Sequence, residues 1–299
     1  MITVLIQGGL GNQLFQVFAA IATAIRNGDT FYFIHTTTDT TGKRGTYWNS
    51  LFYSLKPMTV LANINNLQKF MQLPTYKEPM FSFKNLPNNT AANPTPLKLV
   101  GYFQSPKYFA DVQQEIYEKM QLFEQQKRIQ DMFAESVWFS CGVVTIAMHF
   151  RIGDYKHIQD AHPILKLDYY KQALNHIINN ASLSECKSAE PVKFNVMIFN
   201  QACDNAVILE YMRELKNVPE FSRTCRFYKV QDMFDDWKQM LLMSLCHHNI
   251  IANSTFSWWG AYLNQNPDKI VCYPPIWFGP ALNNHDTRDL FPANWVKIK

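Results

Sequence analysis

The chain opens on an apolar run, Ile2–Ile6, followed by glycines and then by a stretch rich in apolar residues from Asn12 to Arg26. This reads as strand, glycine turn and helix, with a second strand at Phe31–Ile34. Between Thr36 and Thr95 the periodicity fades. Polar stretches, Pro57, Pro74, Pro79 and an Asn/Pro-rich segment over 85–96 predict loops and short helices there. Leu97–Phe103 reads as a strand. Asp111 as a cap, with Val112, Ile116, Met120 and Phe123 on one face, predicts a long helix running to about Glu135.

From Gly142 the pattern is regular. Strands Val143–Phe150, Phe194–Phe199, Cys225–Val230, Asn249–Ala252 and Ile270–Tyr273 alternate with helices. The helices are Tyr169–Asn179 (capped by Asp168), Asp204 to Lys216, Asp235–Cys246 and Thr255–Asn264. Such alternation implies a parallel sheet with helices on both faces. Residues 1–140 and 141–299 then form two Rossmann-like α/β domains facing one another, the last ~20 residues free to pack back on the N-terminal domain. In that arrangement a ligand lies beyond the carboxyl ends of the strands, in the cleft.

Composition narrows the function classes. With 299 residues, 47% of them hydrophobic and 17% charged, the chain can bury a large core, and disorder is excluded. A net charge of +4 is too mild for a nucleic-acid binder and suits a pocket for a small anion. No apolar run reaches the roughly 18 residues of a membrane span; Leu14–Ile25 is interrupted by Gln16 and Thr23. The start, Met1-Ile-Thr-Val-Leu-Ile, lacks the basic and small-residue marks of a secretory signal. A cytoplasmic protein with at most peripheral membrane association is expected. Six scattered cysteines without a C-x-x-C pair read as reduced thiols, and no zinc site is expected.

Three constellations carry chemistry. In Gln7-Gly8-Gly9-Leu10-Gly11-Asn12-Gln13, glycines between strand and helix let backbone approach a ligand, and the helix N–H groups favour negative charge. Leu14 stands where a dinucleotide fingerprint has its third glycine, so NAD is not expected. In His149-Phe150-Arg151-Ile152-Gly153-Asp154-Tyr155, His149 and Arg151 share one face of a strand end. Arg151 offers a donor fork for a phosphate, and Asp154 can hold that fork in place. In Asn253-Ser254-Thr255-Phe256-Ser257-Trp258-Trp259, three polar residues begin a helix, a good diphosphate cradle, while the two Trp read as core. No Asp-x-Asp occurs in the chain, so a metal-bridged nucleotide-sugar site is not expected. Arg151 and helix dipoles must then neutralise a departing diphosphate.

Together the stretches Gly8–Gln16, Gly101–Phe109, His149–Tyr155, Leu167–Leu174 and Leu242–Asn264 resemble the bacterial and viral-type α-1,2-fucosyltransferases of glycosyltransferase family 11. The resemblance implies a GT-B-like architecture and transfer of L-fucose from GDP-L-fucose to the terminal galactose of a glycan acceptor. Inversion, no metal and no cofactor are implied with it. Arg151 would neutralise the β-phosphate, and His149, Ser254 and Thr255 would line the diphosphate beside Asn253 and Phe256. Asn12 would sit near the reacting centre, with Gly9, Gly11 and Gln13 on the nucleotide-sugar side, and Asp154 is a candidate base. Tyr102 and Gln104 are acceptor-side candidates. The chain departs from the family at Ile152, where a second Arg is usual, at Asn200-Gln201-Ala202-Cys203-Asp204 in place of Ser-Asp-Asp, and at Gln239 in place of an Asp that would serve the nucleotide. A glycosyltransferase using another donor or acceptor, or a non-catalytic binding homologue, are the competing readings.

Overall fold

A computed structural model describes residues 1–87, 96–139, 142–181 and 193–299. The chain divides into two compact units, Met1–Gln125 with Asn284–Pro292, and Gln126–Asn283 with Ala293–Lys299.

In the first unit, β1 (Ile2–Val4) leads into α1 (Leu10–Arg26), and β2 (Phe33–His35), β3 (Thr59–Leu61), α2 (Ile64–Gln72), β4 (Thr75–Lys77) and β5 (Leu97–Val100) follow. Strands β1, β5 and β4 form one parallel sheet in that order, and β2 pairs in parallel with β3. The apolar residues all around α1 follow from its position: Leu14, Phe15, Val17, Phe18 and Ile21 are all fully buried, so the helix is itself the centre of the core. Helix α2 is one of the short helices expected where the periodicity fades, whereas strands β3 and β4 fall there without a sequence signal. Three-residue strands are too short for alternation to show.

The long helix expected from Asp111 is two helices, α3 (Gln113–Met120) and α4 (Leu122–Met132). Gln121 between them is left-handed (φ +51°), and its N–H returns to Glu118 and Tyr117 carbonyls. The break turns the chain so that both Met120 and Leu122 reach the core, which one continuous helix would not allow at positions two apart.

The second unit is built on six parallel strands: β6 (Val144–His149), β7 (Phe194–Phe199), β8 (Cys225–Lys229), β9 (His248–Ile250), β10 (Val271–Tyr273) and β11 (Val296–Lys297). Their order across the sheet is β11-β10-β9-β6-β7-β8. The chain winds outward from β6 to one edge, returns to β9 beside β6, and winds to the other edge. The order therefore reverses between β6 and β9. Helices α5 (Leu167–Asn180), α6 (Asn205–Lys216), α7 (Pro219–Thr224), α8 (Asp236–Ser244) and α9 (Thr255–Tyr262) connect the strands. Strands β6 and β7 are buried along their whole length, which is why they read as continuous apolar runs. Lys166, not Asp168, caps α5, and Asp168 lies in the first turn, where its charge still suits the helix dipole. Neither α7 nor β11 stood out in the sequence pattern.

Trp258 and Trp259 on α9 are fully buried, Trp258 stacking on Tyr262 and packing 5.4 Å from Trp295. They are core, as their sequence context indicates. Cys203, Cys225, Cys246 and Cys272 are unpaired thiols, and burial pushes Cys246 and Cys272 up to about 12; Cys141 and Cys186 lie outside the described residues. Among the described residues no helix is long and apolar enough to cross a membrane.

Gly260 is where α9 meets α8: a Cβ there would stand 2.9 Å from the Met243 Cβ. At an open helix position Gly→Ala stabilises by up to about 1 kcal/mol. Here overpacking outweighs that gain, and Gly260→Ala is expected to destabilise by about 1–3 kcal/mol in urea unfolding.

Candidate functional site

In α/β sheets of this kind the ligand site lies at the carboxyl ends of the strands where the order reverses. In the second unit that point is the pair β6 and β9, and both constellations of that unit sit there. His149 ends β6 and Asn253-Ser254 follows β9. Ser254 occupies the cap position of α9, with extended backbone and no side-chain bond to the helix, so its hydroxyl is not used in capping.

Arg151 leaves β6 with its guanidinium 2.7 Å from the Asp154 carboxylate and 5.1 Å from the centre of the Tyr155 ring. Burial pushes the Tyr155 phenol up to about 12, so it stays a donor, and it donates to the Asn253 carbonyl at 2.9 Å. The Asn253 amide in turn donates to the carbonyl oxygens of Pro163 and Trp277. One chain of contacts thus runs from the loop after β6 to the loop after β9. His149 packs its ring 5.3 Å from Phe256. Burial, with the Arg151 cation adding to it, pulls the imidazole down from 6.5 to about 3. His149 is therefore neutral, and its contribution to an anion is a hydrogen bond rather than a charge.

Three buried polar atoms in this cluster have no partner: Arg151 Nε, His149 Nδ1 and Asn253 Oδ1. Leaving such groups unpaired costs about 1–3 kcal/mol each. Their concentration at one strand reversal is the signature of a site made for a polar ligand.

Two residues of the cluster, Asp204 and Gln201, belong to the segment that the sequence marks only as a departure from the family pattern and as a helix start. Asp204, whose carboxylate is completely buried, accepts from the Gly153 N–H at 2.7 Å and from Lys156 Nζ at 3.0 Å. It stands at the cap position of α6, as the sequence indicates, but its side chain is turned to the Arg151 loop instead of to its own helix. Gln201 packs so closely on Gly153 that a Cβ there would meet its Oε1 at 1.8 Å. Ile152, where the family pattern has Arg, is buried within the sheet core alongside Phe150 and Leu165.

Gln239 is not drawn into this network by any described bond. Its amide donates to the Phe234 carbonyl at the start of its own helix, α8. Asp235, a possible substitute for a carboxylate there, pairs with Lys238 at 2.8 Å.

In the first unit Gly8 takes φ +81°, and a Cβ there would meet Asn12 Nδ2 at 2.6 Å, so the turn requires glycine at 8. Gly9 has ordinary extended backbone and caps α1, and Gly11 is buried in its first turn. Asn12 Oδ1 accepts from Gln104 Nε2 at 3.1 Å, which brings two of the sequence candidates together. Tyr102 is half exposed beside them in sequence, its N–H given to Glu78. Gln13 is fully buried and its amide donates to the Gly8 and Gly45 carbonyls, which places it beneath the turn as a support. The residue that sequence reasoning missed is Asp39. Its buried carboxylate accepts from the N–H groups of Gly8, Thr41, Lys43 and Arg44 and from the Thr41 hydroxyl. Burial alone would raise this carboxyl, but those bonds hold it below the usual range. The signal was available: Asp followed by Thr and Gly is an Asx-type turn. Among the described residues no three His, Cys, Asp or Glu side chains gather as a metal-ligand set.

With this geometry in hand, the chain was compared with known proteins. The model for glycosyl transferase family 11 matches residues 214–299. An O-antigen biosynthesis glycosyltransferase of Escherichia coli, WbnK, is 32% identical over 159 residues, which is 52% of this chain and 44% of that relative. An alpha-1,2-colitosyltransferase of Escherichia coli is 25% identical over 308 residues, 98% of this chain and 97% of that one. The C-terminal part of the chain is thus similar to glycosyl transferase family 11, and its sequence is similar to that of these two glycosyltransferases. It spans less than half the length of WbnK. The fold is likewise matched in solved structures. An Arabidopsis thaliana FUT1 variant in complex with GDP aligns with TM-score 0.54 at 10% identity, over 97% of this chain and 74% of that one. Escherichia coli ADP-heptose lps heptosyltransferase II aligns with TM-score 0.50 at 11% identity, over 100% and 90%. The fold is thus α/β with parallel sheets, consistent with the GT-B architecture.

The buried neutral histidines give the protein a pH signature. His149 falls to about 3 and His248, through burial and then His247, to about 4. Below the ordinary histidine pKa of 6.5 the unfolded chain takes up protons that the folded chain refuses. Stability is therefore complete above pH 6.5 and declines as pH falls toward 3–4, by about 1.4 kcal/mol per pH unit for each such histidine. Denaturant unfolding of His149→Asn across pH 7 to 4 should show a slope smaller by about one proton.

Proposed function

We infer that the protein is a metal-independent inverting glycosyltransferase that moves L-fucose from GDP-L-fucose to a galactose-type hydroxyl. The observation that carries this is the cluster of Arg151 Nε, His149 Nδ1 and Asn253 Oδ1, unpartnered at the strand reversal where an anionic ligand meets the start of α9. As the bond to the departing GDP breaks, negative charge grows on the β-phosphate. The Arg151 guanidinium, fixed by Asp154 and Tyr155, meets that charge without reorganising. His149 and the Ser254 and Thr255 end of α9 supply neutral donors and a favourable dipole to the same diphosphate. Asp154 is engaged with Arg151, so its part is to orient the guanidinium rather than to take the acceptor's proton. In the first unit, the Asn12–Gln104 pair beside Tyr102 is the acceptor-side candidate.

One observation favours a second reading. The relative that aligns over 98% of this chain transfers colitose, by its name. Colitose is fucose without its 3-hydroxyl, so the two readings differ in one polar contact to the sugar. A site built to bond that hydroxyl rejects the deoxy sugar by about 10⁴-fold, whereas a site that leaves it alone accepts both.

The test is release of GDP from GDP-fucose, GDP-colitose, GDP-mannose and several UDP-sugars, with EDTA present, with and without galactosides. Acceptor-stimulated release from GDP-fucose is the expected result, and preference for GDP-colitose transfers the assignment to the second reading. Turnover only of UDP-sugars, or only without EDTA, overturns both. Arg151→Ala should lower kcat by at least about 10²–10³-fold while the thermal midpoint is unchanged. Gln104→Ala should raise the acceptor KM by about tenfold, one hydrogen bond's worth, with little effect on donor KM.

A further inference from the structure

Helix α2 of the first unit, INNLQKFMQ, is amphipathic, yet its apolar side is mostly uncovered. Phe70 alone is buried, and Lys98 fixes the helix from below by donating to the Phe70 and Met71 carbonyls and lying over the Phe70 ring. Ile64, Leu67 and Met71, spaced i, i+3 and i+7, form one stripe. Ile64 is 74% and Met71 68% exposed. Leu61, at the end of β3 just before the helix, is 73% exposed, and Met58 precedes it, half exposed. Five large apolar side chains within fourteen residues thus face solvent, well beyond the scattered single exposures of ordinary surfaces.

The segment that carries this stripe has charge of one sign. From Thr40 to Lys77 the chain carries Lys43, Arg44, Lys56, Lys69 and Lys77 and no Asp or Glu. Glu78, the first acid beyond, spends its carboxylate on the Tyr102 and Phe103 N–H groups. Glu115 and Glu118 belong to α3, which packs on the short helical turn Tyr53–Met58, at the Met58 end of the stripe. A protein partner that covers an apolar stripe is matched residue by residue. A flexible lysine fringe around bulky aliphatic and methionine side chains matches instead a surface that is negative everywhere and apolar beneath.

We propose that α2 with the end of β3 is a membrane-surface contact, seating Leu61, Ile64, Leu67 and Met71 at the headgroup level of an anionic bilayer while Lys56, Lys69 and Lys77 meet the lipid phosphates. This contact is separate from the candidate glycosyl-transfer site, and its test requires no turnover. The full chain is sedimented with vesicles of phosphatidylcholine alone and of phosphatidylcholine with an equal part of phosphatidylglycerol. Binding to the anionic vesicles should be at least about tenfold tighter and weaken as salt is raised. The triple variant Ile64→Gln, Leu67→Gln, Met71→Gln should lose at least about tenfold of that binding with its far-UV dichroism unchanged, since Phe70 and Lys98 still hold the helix. Lys69→Glu, a change at an exposed position that leaves the stripe intact, should lower the affinity about fivefold or more. Equal binding to both vesicle types, none to either, or undiminished binding by both variants overturns the proposal. So does a concentration-dependent dimer that the triple variant abolishes, which would assign the stripe to a second copy.

Discussion

The candidate donor site depends on a buried carboxylate. Asp204 is shielded from water and so must be matched by donors, and the two it finds, the Gly153 N–H and Lys156, belong to the loop that carries Arg151. A charge that cannot be solvated cannot easily let go of its partners, which makes the path of that loop a condition of folding. The position of Arg151, and through it of Asp154 and Tyr155, follows. Asp39 repeats the device in the first unit, where its carboxylate gathers the Gly8 turn and the residues 41–44. In both units a glycine turn that presents a candidate site is tied from beneath by an acid.

Legibility in the sequence tracks how local the cause is. Strands buried on both faces, such as β6 and β7, announce themselves as Val-, Ile- and Phe-rich runs, and the site motifs sit at their ends, where any parallel sheet would place them. Asn12 and Gln104 were each visible as candidates, but their meeting across 92 positions was not. The Gln121 break is fixed by which side chains must reach the core, a tertiary demand that overrides a plausible helical period. In the sequence Asp204 marks only a helix start and Asp39 only a turn, because a side chain's choice between its own backbone and a distant loop leaves no periodic trace.

The departures from the family pattern also acquire physical meaning. Gln239 turns its amide back to its own helix start, a job an ionised Asp could not do because it has no proton to donate. The segment Asn200–Asp204 lacks the usual acids at its beginning but supplies one at its end, and that one reaches the loop. Each change is accommodated by local bonding, which is consistent with a site altered in detail on an unaltered sheet.

Ile152 shows how such a change becomes entrenched. Once an apolar side chain at this place has joined the packing of Phe150 and Leu165, its neighbours are fitted to its volume and to the absence of charge. An arginine here would bring a guanidinium into that apolar packing. A single change of Ile152 to arginine would therefore exchange packing for a charge taken out of water, so a second cation in this loop calls for matching changes in the side chains around it.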